Sequence, residues 1–217
     1  MNLPVFQAVP DCRLCERWQE PRNPGIPTTT WGLPGPGHPV LIVVGPSPSF
    51  HDHLAIEPYR GKGGRLMRDI ALANLSTLCT IYFTLLVRCG PAPDAKARHY
   101  KACHEHAASD LNQILSAHPS DPVFILLLGA DATIHFHRLH LRARASHKSA
   151  ISSNGRPHQI AGRSIPVFST LNPAAILRNN SLIYTLEDHI ELLTSTIRGS
   201  APIPTTPLIE PARAPRS

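Results

Sequence analysis

The sequence has no apolar run long enough to cross a membrane, no basic start leading into an apolar stretch of the kind that directs export, and no internal repeat. These absences set the expectation of a soluble, cytoplasmic protein with no membrane role. Acidic residues are scarce. Fifteen Asp and Glu stand against 21 Lys and Arg, and the net charge of +6 favours a polyanionic partner such as nucleic acid. Five cysteines, an odd number, in a chain without an export signal argue against a disulfide framework and for reduced thiols available to a metal. With 42% hydrophobic and 17% charged residues over 217 positions, the composition excludes a disordered chain and suits one sizeable core.

Four of the cysteines carry a pattern. Cys12 and Cys15 form a C-x-x-C pair, and Cys89 and Cys103 follow singly much later. A structural zinc site more often takes two close pairs, whereas a cubane cluster accepts one pair plus two ligands delivered by the fold. On spacing alone a cluster, zinc and mere reduced cysteines stand level. Cys79 reads as a core residue.

Continuous apolar runs at Val40 to Val44, Ile81 to Val87 and Val123 to Leu128 suit parallel strands buried on both faces, with a fourth, shorter strand at Ile165 to Ser169 after a turn at Ala161 to Arg163. Helical periodicity fills Gly64 to Leu75, Lys96 to Ala117 and Leu186 to Ile197. The stretch from Pro21 to Pro39 reads as a loop. The alternation predicts an α/β fold, a three-layer α/β/α sandwich around a mostly parallel four-stranded central sheet, with ligands at the carboxyl ends of the strands. Residues 1–198 form the domain, and 199–217, with five prolines and almost no apolar periodicity, read as a disordered Pro-rich tail.

The segments after those strands are distinctive: Gly45-Pro46-Ser47-Pro48-Ser49, then Pro58-Tyr59-Arg60-Gly61-Lys62-Gly63-Gly64-Arg65-Leu66, then Thr84-Leu85-Leu86-Val87-Arg88-Cys89-Gly90-Pro91, and finally Leu171-Asn172-Pro173-Ala174-Ala175-Ile176-Leu177-Arg178. With the cysteines, this series resembles the iron-sulfur (family 4-like) branch of the uracil-DNA glycosylases, in which C-x-x-C, G-E-x-P-G, P-F-V-G-x-A-G-x-L, T-N-x-V-K-C-R-P, a further Cys and H-P-S/A-x-L-L-R occur in this order. The resemblance covers about residues 12 to 197.

It implies that Cys12, Cys15, Cys89 and Cys103 ligate a [4Fe-4S] cluster of structural role. It also implies a DNA glycosylase of base-excision repair or base processing that hydrolyses the N-glycosidic bond of uracil or a related modified base. Such an enzyme turns the base out of the stack into a pocket. Gly45, Pro46, Tyr59 and Leu85 take substrate-binding positions, with Tyr59 in the place of the stacking Phe. Lys62, Gly63 and Arg65 would meet phosphates, and Pro173, Leu177 and Arg178 would probe the minor groove. Three polar positions depart from the pattern: Pro46 replaces the acidic residue, Leu85 the base-reading Asn, and Asn172 the His. The polar chemistry then falls to Asn172, as donor to a carbonyl oxygen, to His51 or Asp52, as base or water-orienting group, and to Ser47, which can bond water. The other reading is a catalytically silent iron-sulfur DNA-binding member of the same superfamily. DNA is the expected partner, met as a monomer, with nucleoid association when bound.

Overall fold

The computed structural model describes residues 3–9, 11–19, 25–32, 37–90 and 95–199. The proposed tail, beyond Gly199, lies outside the described residues. The core is a six-stranded sheet: β1 (Thr29–Gly32), β2 (Val40–Gly45), β3 (Thr80–Leu85), β4 (Val123–Leu128), β5 (Arg156–Ile160) and β6 (Arg163–Thr170), in the order β1-β3-β2-β4-β6-β5. Among the described residues there are seven α-helices: α1 (Phe50–Ala55), α2 (Lys62–Arg65), α3 (Ala97–Ala117), α4 (Gly129–His140), α5 (His147–Ile151), α6 (Pro173–Arg178) and α7 (Ile183–Ile197). No helix among the described residues is long and apolar enough to cross a membrane.

The sheet has six strands where the sequence predicts four. The four expected strands are there and run parallel, β3 to β2 to β4 to β6. The two extra ones are antiparallel edges, β1 on β3 and β5 on β6. Neither advertises itself by hydrophobicity. β1 is four residues inside a Pro/Gly/Thr-rich stretch, and β5 (Arg-Pro-His-Gln-Ile) has only Ile160 fully buried. β5 is specified by its turn instead: Ala161 and Gly162 both have positive φ (49° and 79°), as a tight hairpin requires. Pro157 is tolerated because β5 pairs on one side only.

Every residue of β2, β3 and β4 is buried, since helices cover both faces. Successive residues alternate between two cores. Val40, Ile42, Val44, Tyr82, Ile125 and Leu127 pack with Tyr100, Leu111 and Ile114 of α3 and Phe136 of α4. Leu41, Val43, Ile81, Phe83 and Leu126 pack with Met67, Leu72 and Leu75 and with Leu186, Ile190 and Leu193 of α7. The helix predicted over Gly64 to Leu75 is broken into α2, a π-helical turn at Leu66–Ala71 and a 3-10 turn at Ala73–Thr77. The extra residue in the π-turn lets Met67 and Leu72, five apart, both reach the core.

β3 lies on one side of β2 and β4 on the other, so the chain reverses its direction across the sheet at β2. A crevice opens outside the carboxyl end of such a strand. Here that end is Gly45.

Candidate functional site

A cavity of about 280 Å³ fills the crevice. Each of the four parallel strands contributes at its carboxyl end: Gly45 from β2, Leu85 from β3, Leu128 from β4, and Asn172 just after β6. The carbonyls of Gly45 and Pro46 accept the N–H groups of Leu86 (2.9 Å) and Val87 (3.0 Å), which ties the loop after β2 to the exit of β3.

Ser49 and Asp52 then turn the chain into α1. Ser49 Oγ accepts the Asp52 N–H (3.3 Å), and Asp52 Oδ2 accepts the Ser49 N–H (2.8 Å), a reciprocal capping box. Asp52 Oδ1 accepts the Arg60 N–H at 2.6 Å. The carboxylate is buried and stitches α1 to the Tyr59–Arg60 segment with both oxygens. His51, beside it, lines the cavity without such an obligation.

Tyr59 forms the floor. It sits at φ 62°, buried, its ring 5.0 Å from that of Phe83 and its hydroxyl donating to the Thr84 carbonyl at 3.4 Å. Burial, aided by the negative charge of Asp52, pushes the phenol well above its usual pKa, so it stays a neutral donor. Two glycines permit this position. A Cβ on Gly45 would lie 2.5 Å from the Tyr59 hydroxyl, and one on Gly64 would overlap the Tyr59 carbonyl oxygen.

The opposite wall is Asn172, the N-cap of α6, whose Oδ1 accepts the Ala174 N–H at 2.9 Å. With its oxygen committed to the cap, the side chain offers its Nδ2 hydrogens. Gly129, at φ 85°, allows the start of α4 to pass this close, since a Cβ there would be 2.7 Å from Asn172 Cβ. Between the walls lies α2. Gly61 packs against Ser49 and His51, and Gly63 against Pro173 and Ala174, so Lys62 stands between α1 and α6.

Of the residues singled out in the sequence, Gly45, Pro46, Ser47, His51, Asp52, Tyr59, Lys62, Gly63, Leu85, Asn172 and Pro173 all line the cavity. Arg65, Leu177 and Arg178 do not; they are exposed on α2 and α6 beside it. Ser49, Gly61, Gly64, Leu128 and Ala174 also line it. Leu128 was findable, because it ends the third apolar run, where a strand-end site must lie. The floor is thus apolar (Tyr59, Leu85, Leu128), and the polar groups stand on the walls.

The four patterned cysteines come from three segments: Cys12 and Cys15 before a 3-10 turn at Glu16–Gln19, Cys89 after β3, and Cys103 on α3. The Cys89 thiol is pushed up to about 12, first by burial and then by the neighbouring charges of Cys103, Cys12 and Cys15. Cys103 is likewise raised, chiefly by burial, against a hydrogen bond from the Arg88 backbone. His106 Nε2 lies 3.3 Å from Cys12 Sγ. Arg17, buried, donates to the Cys89 carbonyl from Nε (3.1 Å) and Nη2 (2.6 Å). Arg88, also buried, pairs with Asp110. Among the described residues no three or more His, Cys, Asp or Glu side chains form a group that could hold a metal ion. The four thiols are near enough for their charges to act on one another. Gly90 packs against Pro48, a Cβ there lying 2.8 Å from Pro48 Cβ, so this thiol region adjoins the loop after β2. Cys79 stands apart in the core, bonded to the Leu75 carbonyl at 3.1 Å, and burial pushes it up to about 12.

A family model described as the uracil DNA glycosylase superfamily matches residues 33–194. A search of the curated proteins finds no match.

Proposed function

The chain belongs to the uracil DNA glycosylase superfamily, and from that premise we propose that it is a DNA glycosylase-like protein that hydrolyses the N-glycosidic bond of uracil or a related modified base. The observation that carries this reading is the cavity itself, walled by the segments after all four parallel strands and floored by an immobilised aromatic ring. A base stacked in DNA cannot be reached, so it must be turned out, at a cost of a few kcal/mol recovered by contacts in the pocket. Tyr59 provides a flat face for it, Lys62 stands where a phosphate would follow, and Asn172, its Oδ1 held by the Ala174 N–H, has its Nδ2 hydrogens to donate.

As the bond from the sugar carbon C1′ to the base nitrogen breaks, its electron pair leaves with the base. Asn172 stabilises the charge that reaches a carbonyl oxygen. Water attacks C1′, and His51, which lines the cavity together with Ser47, receives the proton. The Asp52 carboxylate, fixed by two backbone amides, keeps a negative charge next to the cationic sugar.

We assign Cys12, Cys15, Cys89 and Cys103 to a [4Fe-4S] cluster, in line with the iron-sulfur branch. What supports this is the donor set: four thiols from three segments, near enough for their charges to act on one another, with buried Arg17 and Arg88 beside them. Bound there, the cluster would supply a structural clamp rather than chemistry.

A second reading has a specific observation behind it. The base-reading edge of the cavity presents Pro46 and Leu85 instead of polar side chains, and a buried uracil edge left without partners would lose roughly 1 to 3 kcal/mol. On that reading the protein holds DNA without cutting. The experiment is base excision: anaerobically purified protein is incubated with oligonucleotides carrying uracil, hydroxymethyluracil, hypoxanthine or xanthine, then treated with alkali. Strand scission at one of these bases supports the glycosylase. Scission at none, with DNA binding intact, leaves the silent member, and Pro46→Glu, Leu85→Asn and Asn172→His together should then create uracil excision.

A further inference from the structure

The two faces of α1 differ in kind. His51 and Asp52 line the cavity, while Phe50 and Leu54, four apart on one face and outside the lining, are 59% and 65% exposed. Ile56, at the C-cap, is 46% exposed. These are three of the nine large hydrophobics exposed among the described residues, and they fall within seven consecutive positions that also carry the cavity-lining His51 and Asp52. A soluble surface does not usually gather apolar side chains in this way without a partner. Ile56 adds an independent sign. It is β-branched yet held at φ 53°, a left-handed cap that Gly or Asn would fill with less strain, and such strain concentrates at functional positions.

We propose that Phe50, Leu54 and Ile56 form a stacking ledge for unpaired bases of the DNA strand that enters the cavity, so that the protein prefers single-stranded or locally opened DNA. The inference rests on the reading that the cavity receives a base from DNA. Charge selects the occupant. Lys62 and Arg65 are exposed on α2, whose N-cap Gly61 packs against Ser49 and His51, and the Phe50 ring lies 5.9 Å from that of His51, so the apolar ledge reaches the cationic strip across His51. A strand whose phosphates follow α2 would lay its bases over α1. Only unpaired bases offer the apolar faces the ledge would cover, because paired ones are already stacked. Phe50 supplies the ring, 5.9 Å from the His51 ring that opens onto the cavity.

The test uses the full chain and fluorescein-labelled DNA, an oligothymidine strand and a hairpin duplex, with affinities read by anisotropy across a salt series. Phe50→Ser with Leu54→Ser should weaken single-strand binding about fivefold to 150-fold, the loss of one stacked base. Duplex affinity should stay within about twofold and the salt slope should not change, because no charge is removed. Lys62→Gln should do the opposite, lowering the single-strand slope by about 0.7. Phe50→Trp should retain the affinity, and its emission should be quenched by the oligothymidine. Unchanged single-strand affinity in the double variant, or an unquenched tryptophan, overturns the ledge. So does a wild-type dimer that the double variant converts to monomer with DNA binding intact, since the face would then belong to a second copy. Excision of uracil is followed in parallel. Its absence with a positive Phe50 effect removes the glycosylase alone, and its presence without a Phe50 effect removes the ledge alone.

Discussion

Tyr59 and Asn172 show how much of the site depends on atoms that are missing around them. Gly45 has room for Tyr59 only because it has no Cβ, and the atom in the way is the hydroxyl. Gly45→Ala should therefore displace the ring and depress base excision at least tenfold, and adding Tyr59→Phe, which deletes that hydroxyl, should restore part of the rate; single-turnover excision checks both. Gly64→Ala has no such remedy, since the obstruction there is the Tyr59 backbone. Asn172 does two separable jobs. Asp caps a helix as well as Asn, so Asn172→Asp should leave the melting temperature nearly unchanged while abolishing excision, whereas Asn172→Ala should also cost about 1 kcal/mol of stability. The sequence alone marks both residues as candidates, by their place in recognisable segments. It does not reveal that Asp52 spends its carboxylate on the backbone amides of Ser49 and Arg60, because a capping box and a catalytic carboxylate look alike until the turn between them is built. Nor does composition distinguish His51 from the buried Tyr82–His118–Asp121 chain, whose 2.8 Å hydrogen bonds look catalytic but join β3 to the start of β4 in the core.

Among the elements, the four parallel strands were legible because burial on both faces writes an unbroken apolar run, as in Val40 to Val44. The edges were not, because β5 alternates polar residues and takes its register from the Ala161–Gly162 turn. The long α3 was read almost to the residue, its stripe of Tyr100, Cys103, Ala107, Leu111 and Ile114 being continuous. The π-turn at Leu66–Ala71 could not be, since a five-residue spacing mimics ordinary helix over so short a stretch. Helix α4 carries a pH consequence. His137, buried against His158 of β5, has its pKa lowered to about 4, first by burial and then by the His158 charge. Unfolded, it titrates near 6.5. Below that value the unfolded chain takes up a proton that the folded one refuses, so stability is full above about 6.5 and declines as the pH falls toward 4. Denaturant titrations at stepped pH should show the decline, and His137→Gln should make it shallower.

For the molecule as a whole, the thiol region and the cavity are joined through Gly90 and Pro48, so what holds the cysteines together should also hold the cavity loop. Cys12→Ser, Cys89→Ser and Cys103→Ser should each reduce the bound iron and the visible absorbance of anaerobically purified protein and lower its melting temperature, while Cys79→Ser should leave iron content unchanged. An iron-free, colourless wild type that binds zinc would refute the cluster. The sequence could bring these four residues together only through resemblance, because their convergence depends on β3 and α3 meeting the N-terminal segment. At the rims of the sheet the architecture has a quite different outcome. β1 stops after four residues, and β5 carries Pro157, which has no N–H to give. A neighbouring chain seeking to extend the sheet would find one border too short and the other lacking a donor. A crowded solution of this protein is thereby guarded against fibrous aggregation by the same two inconspicuous strands that hydrophobicity could not find.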